Sequence, residues 1–149
     1  LLVLINPAGQ MAKARDAGRK SALKQVASAL DSYAIDHNGQ YPPSPAYCTG
    51  NPLISAAADN WIPPEISYQL KTVPIDPKGN DCWPFDDAQG ARTYGYAYMQ
   101  QNSGLGYILI TGLENTSDTQ INGSQFSGLG WGTIPNNTYV FILPGGKYQ

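Results

Sequence analysis

Residues 23 to 43 read LKQVASALDSYAIDHNGQYPP, and this stretch decides the fold. From Leu23, apolar or amphipathic side chains recur at offsets of 3, 4, 7, 10, 11 and 14 residues, the spacing of one face of an α-helix. Asn38 and Gly39 can then adopt the left-handed conformation of a helix C-cap, and Pro42 cannot continue a helix. The stretch therefore predicts a helix that ends near residue 37 and buries one face. That face consists of Leu23, Val26, Ala27, Leu30, Tyr33, Ala34 and His37.

The helix is predicted to extend upstream to Pro7, with Asn6 as its N-cap and Pro7 at its first position. Five cations lie from residue 13 to residue 24, although the macrodipole disfavours cations at an isolated helix start. The distribution therefore favours a helix that continues from something upstream. Residues 1 to 5 are too few to cross a bilayer, which requires roughly 20 apolar residues. They form either the tail of a longer apolar helix or an ordinary first strand. We expect a processed or truncated chain, because no initiator Met, charged leader or cleavage motif precedes this run.

The second half of the chain carries strand signals. Aromatic and β-branched residues concentrate at residues 94–98, 107–113 and 139–143. Tyr94, Tyr96 and Tyr98 alternate with small residues and so share one face of a strand. Pro64 begins a short predicted helical turn that runs to Leu70. The pattern predicts three or four antiparallel strands packed on the C-terminal half of the helix, an α+β arrangement.

Composition is that of one charge-poor domain. The chain has 149 residues, of which 13% are charged, well below the usual quarter. Residues 1 to 37 carry five cations and three anions, whereas residues 38 to 149 carry four cations and eight anions. Because nucleic-acid binding depends on clustered Lys and Arg, this balance argues against a nucleic-acid partner.

The two cysteines, Cys48 and Cys82, lie in sequence rich in Pro and Gly. In an oxidising compartment they would form one disulfide, which would stabilise the chain by about 3 to 4 kcal/mol in the chain-entropy model. The alternative is a pair of free buried thiols. Two cysteines and one distant histidine do not make a zinc site.

Two groups of stretches carry a family resemblance. In the helix half they are Leu1 to Pro7, Lys13 to Val26 and Tyr33 to Pro42. In the β half they are Trp61 to Pro63, Val73 to Pro77, Tyr94 to Tyr96 and Tyr107 to Asn115. Together they resemble type IV pilins and type II secretion pseudopilins over about residues 1 to 118. The family's methylated N-terminal Phe, the Glu at its fifth mature position and most of its hydrophobic helix have no counterpart here.

The resemblance implies a pilin-like α+β fold, with a long N-terminal helix packed on a small antiparallel sheet. Residues 1 to 39 would form the helix, with an assembly half at 1 to 22 and a sheet-packed half at 23 to 39. Residues 40 to 149 would form a loop-rich β domain that makes one globular unit with the helix. The assembly half contains an apolar run and a ridge of small residues: Leu1, Leu2, Val3, Leu4, Ile5, Ala14, Gly18 and Ala22.

The implied function is structural: self-association into an extracellular or periplasm-spanning filament, built by inner-membrane machinery from a parent anchored in that membrane. Arg15, Arg19 and Lys24 would then pair with acids of adjacent subunits or face solvent. One alternative is a pseudopilin of a type II secretion system. Another is an adhesin or DNA-uptake minor pilin that binds host or cell surfaces through the basic helix patch and the aromatic residues of loops: Tyr41, Tyr47, Trp61, Trp83 and Trp131.

No enzyme is predicted, because the only histidine, His37, has no nucleophile at a recognisable spacing. Calcium is the one cofactor considered. Glu114, Asn115 and Asp118 place oxygen donors in a short segment, and calcium takes six to eight oxygens. Pseudopilins that resemble this chain carry a calcium loop after their sheet, but the spacing here is not that of an EF-hand. The alternative is an ordinary polar turn.

Overall fold

In the residues that the structure describes, a long helix packs on a three-stranded sheet. The computed structural model describes residues 6–44, 61–78, 94–126 and 139–147. The helices are α1 (Pro7–Asp36) and α2 (Pro64–Ser67), and the strands are β1 (Tyr96–Gln101), β2 (Gly106–Gly112) and β3 (Val140–Gly146). This layout confirms the predicted α+β class. Two short 3₁₀ helices, Asn102–Gly104 and Gly123–Phe126, accompany the strands.

Both ends of α1 follow the predicted capping chemistry. The Asn6 Oδ1 accepts a hydrogen bond from the Gly9 backbone N–H at 3.0 Å, and a proline stands at the first helical position. At the other end, Asn38 and Gly39 have φ of 56° and 78°, and the Gly39 N–H donates to the Ala34 carbonyl at 2.8 Å. The left-handed pair thus ends the helix where the sequence predicted.

His37 lies outside the buried face to which the periodicity assigned it. Its side chain is exposed, and its ring stacks on Tyr33 with the ring centroids 3.6 Å apart. Its Nδ1 lies 2.8 Å from the Tyr33 carbonyl oxygen. The assignment was wrong because the helix ends at Asp36, so that His37 already departs from helical geometry.

The sheet is antiparallel, in the order β1-β2-β3. Tyr98 pairs with Leu109 and Leu109 with Leu143, so alternate residues of the three strands line common faces. One face packs against α1 and contains Tyr96, Tyr98, Tyr107, Leu109 and Phe141. The opposite face is a second buried apolar cluster of Ala97, Ile108, Ile110, Val140 and Ile142.

The main core lies between α1 and the sheet. Leu23, Val26 and Leu30 are completely buried there, as the periodicity predicted, and Ile66 of α2 joins them. Helix α2 is shorter than predicted and ends at Ser67. In the described part of the chain, no helix combines the length and the apolar character that crossing a membrane requires.

Candidate functional site on the N-terminal half of helix α1

The buried face of α1 continues well upstream of Leu23. The buried residues of the helix are Asp16, Arg19, Leu23, Val26, Leu30 and Ala34, which recur every three or four positions along one stripe. Within this stripe the chemistry changes from charged to apolar between Arg19 and Leu23. Asp16 and Arg19 are each only 1% exposed. Charged residues are almost never buried so fully unless they are paired.

Arg19 is bound by three carboxylates. Its Nε and Nη2 donate to the two oxygens of Asp76 at 2.6 and 2.9 Å, a bidentate pair. Its Nη1 donates to Asp16 Oδ1 and to Glu114 Oε1, both at 2.8 Å. The guanidinium carbon also lies 4.8 Å from the centre of the Tyr94 ring, within the range of a cation–π contact. These contacts compensate for the loss of water around the buried charge.

Glu114 joins the same group from the end of β2. Arg15 donates to it through Nε at 2.7 Å and through Nη2 at 2.6 Å, and Lys78 Nζ lies 2.9 Å from its Oε2. The hydrogen bonds from Arg15, against an opposing contribution from burial, lower the pKa of Glu114 to about 2. We call this group the charge cluster: Arg15, Asp16, Arg19, Asp76, Lys78 and Glu114. It contains three cations and three anions, so its formal charge is zero.

Asp16 has a second role, because it also binds backbone. Its Oδ1 accepts a hydrogen bond from the N–H of Glu114 at 3.0 Å, and its Oδ2 accepts one from the N–H of Asn115 at 2.8 Å. These bonds fix the start of the segment that follows β2 against α1. One turn further along the helix, Lys20 Nζ donates to Asp118 Oδ2 at 2.7 Å and to Gln120 Oε1 at 2.9 Å.

The predicted calcium ligands therefore lie among cationic side chains. Glu114 is bound by two arginines and a lysine, and Asp118 by Lys20. Asn115 directs its Oδ1 toward the Ser117 backbone N–H at 3.3 Å. Among the residues that the structure describes, no group of three or more His, Cys, Asp or Glu side chains has the arrangement of a metal site. Calcium binding stays a prediction.

The structure corrects the predicted partners of the helix arginines. Arg15 and Arg19 were predicted to pair with acids of adjacent subunits or to face solvent. Instead, they pair with acids of their own chain. Lys24 is exposed, one of the two outcomes expected of it. The ionic contacts of Arg15 and Arg19 with the rest of the chain therefore lie inside the predicted assembly half. The sequence could not supply these partners, which lie 57 to 99 residues away.

The opposite side of this helix half is open. Ala14, Ala17 and Gly18 are exposed, Met11 is 61% exposed, and a Cβ added to Gly18 would meet no atom within 4 Å. Ala22, the third member of the predicted ridge, is half-buried and packs against the core. The ridge therefore consists of Ala14 and Gly18, with Ala22 turned partly inward. Residues 1 to 5 lie outside the described part of the chain.

Of the other predicted site residues, some are buried in the core and the rest lie outside the residues that the structure describes. Tyr41 and Trp61 belong to the core, where the Tyr41 and Tyr107 rings meet edge to face at 4.7 Å. Tyr47, Trp83 and Trp131, together with Cys48 and Cys82, lie outside the described residues. The proposed disulfide therefore stays a prediction.

Comparison with known proteins finds no family model, no curated protein and no solved structure that matches this chain. The site must be interpreted from its own geometry. That geometry consists of a helix segment with one face bound ionically to its own domain and one face of small residues open to solvent.

Proposed function

We propose that this chain is a structural subunit of a type IV pilus-like filament, at the cell surface or across the periplasm, and that it assembles through the N-terminal half of α1. The observation that carries the proposal is the division of this helix half into two faces. The inward face is bound to the chain's own loops by the charge cluster, while Ala14 and Gly18 remain exposed on the other side. A filament subunit needs such a helix, fixed to its own domain and open to neighbours.

Small residues suit this role because they allow two helix backbones to approach closely. A Cβ added to Gly18 would meet no atom within 4 Å, so the helix surface is open at the point where a neighbouring helix would approach. The α+β layout agrees with the family that the sequence resembles. Self-association is therefore the proposed partnership, with assembly machinery in the inner membrane. A pseudopilin of a secretion system has the same features and is the alternative within this proposal.

The features cited for a binding module have other roles in the described structure. Three of the five cations of the basic helix patch are engaged within the chain, because Arg15, Arg19 and Lys20 bind Glu114, Asp76 and Asp118, whereas Lys13 and Lys24 are exposed. Tyr41 and Trp61 are core residues. These observations favour the structural role over an adhesin or a DNA-uptake subunit.

The test is made in the source cell, with the gene at its native locus. Antibodies raised against this chain should decorate filaments in electron micrographs of the cell surface or of sheared cell fractions. Gly18→Leu should then reduce filament yield strongly, because it fills the approach point of a neighbouring helix. The substitution should not destabilise the isolated chain and should raise its stability by up to about 1 kcal/mol, since the position is exposed and Leu has the higher helix propensity.

Ser32→Leu is the matched control, because Ser32 is also exposed on α1 but lies in the sheet-packed half. It should leave filament yield close to that of the wild type. The proposal would be contradicted if the antibody never bound to filaments, or if Gly18→Leu left the filament yield normal. A melting temperature that falls sharply with Gly18→Leu would contradict the assignment of an open face.

A further inference from the structure

The charge cluster and the apolar core hold two different parts of α1. We infer that residues 7 to 20 form an arm that can detach from the domain as a unit while the rest of α1 stays packed on the sheet. The inference concerns the isolated chain and does not rest on the proposed function. It follows from the position at which the buried stripe of the helix changes from charged to apolar side chains.

The arm is held to the domain by polar contacts at three places. Arg19 binds Asp76, which follows α2 in the chain. Arg15 and Arg19 bind Glu114 after β2, and Asp16 accepts hydrogen bonds from the backbone N–H groups of Glu114 and Asn115. Lys20 adds a fourth, partly exposed pair with Asp118. All of these contacts come from residues 15 to 20, fewer than two turns of helix.

Apolar anchoring begins only after the arm. Within the described part of the chain, Ala22 and Leu23 are the first residues of α1 that belong to the main core, and the core then includes Val26 and Leu30. Upstream, Met11 is 61% exposed and Ala14 is exposed. The free energy that holds the arm therefore comes from ionic hydrogen bonds, whereas hydrophobic burial holds the remainder of the helix.

Loss of the cluster should therefore open the arm before the rest of the fold. A detached arm would lose the tertiary contacts from which most helical stability in proteins comes, and Gly18 lowers its helix propensity further. The detached arm would fray, and its amide protons would exchange with solvent. The core residues from Leu23 onward would keep their contacts with the sheet. Detachment would also free the exposed ridge of Ala14 and Gly18 from its fixed orientation.

Hydrogen–deuterium exchange with mass spectrometry tests the arm directly. In Glu114→Gln, which removes the anion shared by Arg15, Arg19 and Lys78, peptides from residues 8 to 20 should exchange at least about tenfold faster than in the wild type. Such a ratio corresponds to about 1.4 kcal/mol of opening free energy. Peptides from residues 26 to 36 and from β2 exchange through global unfolding, so they should accelerate only as far as the variant loses global stability and should remain much slower than the arm.

Glu65→Gln is the matched control, because Glu65 is an exposed glutamate on α2. It should leave the exchange of every peptide unchanged. Arm and core peptides that exchange with one common opening free energy, in the wild type and in Glu114→Gln alike, would show that they open together and would overturn the inference. Unchanged exchange in the arm would overturn it too, because the cluster would then not be what holds it.

The wild-type chain supplies a second test that does not depend on the folding of a variant. Exchange is measured at a series of low urea concentrations. Amides of the arm should open with little dependence on urea, because detachment exposes little apolar surface, while core amides should show the steeper dependence of global unfolding. A common slope for arm and core would refute a separable arm.

Discussion

At the scale of single residues, Arg19 is the centre of the molecule's polar interior. Its side chain is completely buried and contacts Asp16, Asp76 and Glu114. Burial disfavours the charged guanidinium, but the hydrogen bonds that it donates to these carboxylates outweigh burial, so the pKa of Arg19 rises above its ordinary value. The arginine therefore remains charged at every pH at which the protein is folded.

Replacing Arg19 with Gln should destabilise the fold by about 3 to 5 kcal/mol, because Asp16, Asp76 and Glu114 would remain buried without their shared cation. Urea unfolding followed by circular dichroism measures the change. Lys24→Gln is the control, since Lys24 is an exposed cation on the same helix. It should alter stability by no more than about 0.5 kcal/mol. Similar unfolding midpoints for the two variants would contradict the role assigned to Arg19.

Glu114 makes the free energy of unfolding depend on pH in the acidic range. Its pKa in the folded chain is about 2, against an ordinary value of 4.5, so the unfolded state binds a proton more readily than the folded state does. The stabilisation is fully present above about pH 4.5 and is lost as the pH falls through about 2. It amounts to on the order of 3 kcal/mol.

Unfolding free energies measured from pH 6 to pH 2 should consequently fall less steeply in Glu114→Gln than in the wild type. The variant should be the less stable protein at pH 6, and the difference should narrow toward pH 2. Parallel curves would mean that the carboxylate of Glu114 has no depressed pKa in the folded chain.

At the scale of elements, one stripe of α1 uses two kinds of interaction. Asp16 and Arg19 form ionic hydrogen bonds with loop residues. Leu23, Val26 and Leu30 pack against the sheet with apolar side chains. The change occurs within a single turn of continuous helix. The periodicity of apolar residues predicted only the apolar part of this stripe, because that periodicity begins at Leu23.

Leu30→Asp should destabilise the chain by several kcal/mol, because it places an unpaired charge in the centre of the core. Ile35→Asp is the matched control on the same helix, since Ile35 is 81% exposed. Thermal melting should show a large loss for the first variant and almost none for the second. Comparable melting temperatures for both would contradict the packing of this face on the sheet.

At the scale of the whole molecule, the uneven charge of the chain is explained by internal pairing. The helix region has a net charge of +2 and the remainder has −4. Cations of α1 meet acids of the β region at the charge cluster and at the Lys20–Asp118 pair. The excess of positive charge on the helix is therefore a means of attaching the helix to its domain.

The predicted Cys48–Cys82 disulfide is also a property of the whole molecule, because it would close a loop that contains α2. Under non-reducing conditions the intact chain should be two hydrogen masses lighter than after reduction. It should also unfold at lower temperature once reduced, since the bond limits the conformational entropy of the unfolded chain. Alkylation of both thiols without reductant would reject this pairing.

The sequence by itself determined the bounds of α1, the places of the three strands and the apolar face from Leu23 to Ala34. These features depend on local chemistry: the spacing of apolar side chains, an Asn-Pro start, and an Asn-Gly stop. Each signal lies within a few residues of the structure that it specifies. The residues that form the strands could be identified for the same reason.

The tertiary structure alone decided that Asp16 and Arg19 are buried, and that Arg15 binds within the chain. By sequence they resemble a solvated basic helix, and charged residues on a helix surface are usually exposed. Their partners Asp76 and Glu114 stand 57 to 99 residues further along the chain. Only folding brings such groups within 3 Å, and no local pattern records which distant acid a cation will meet.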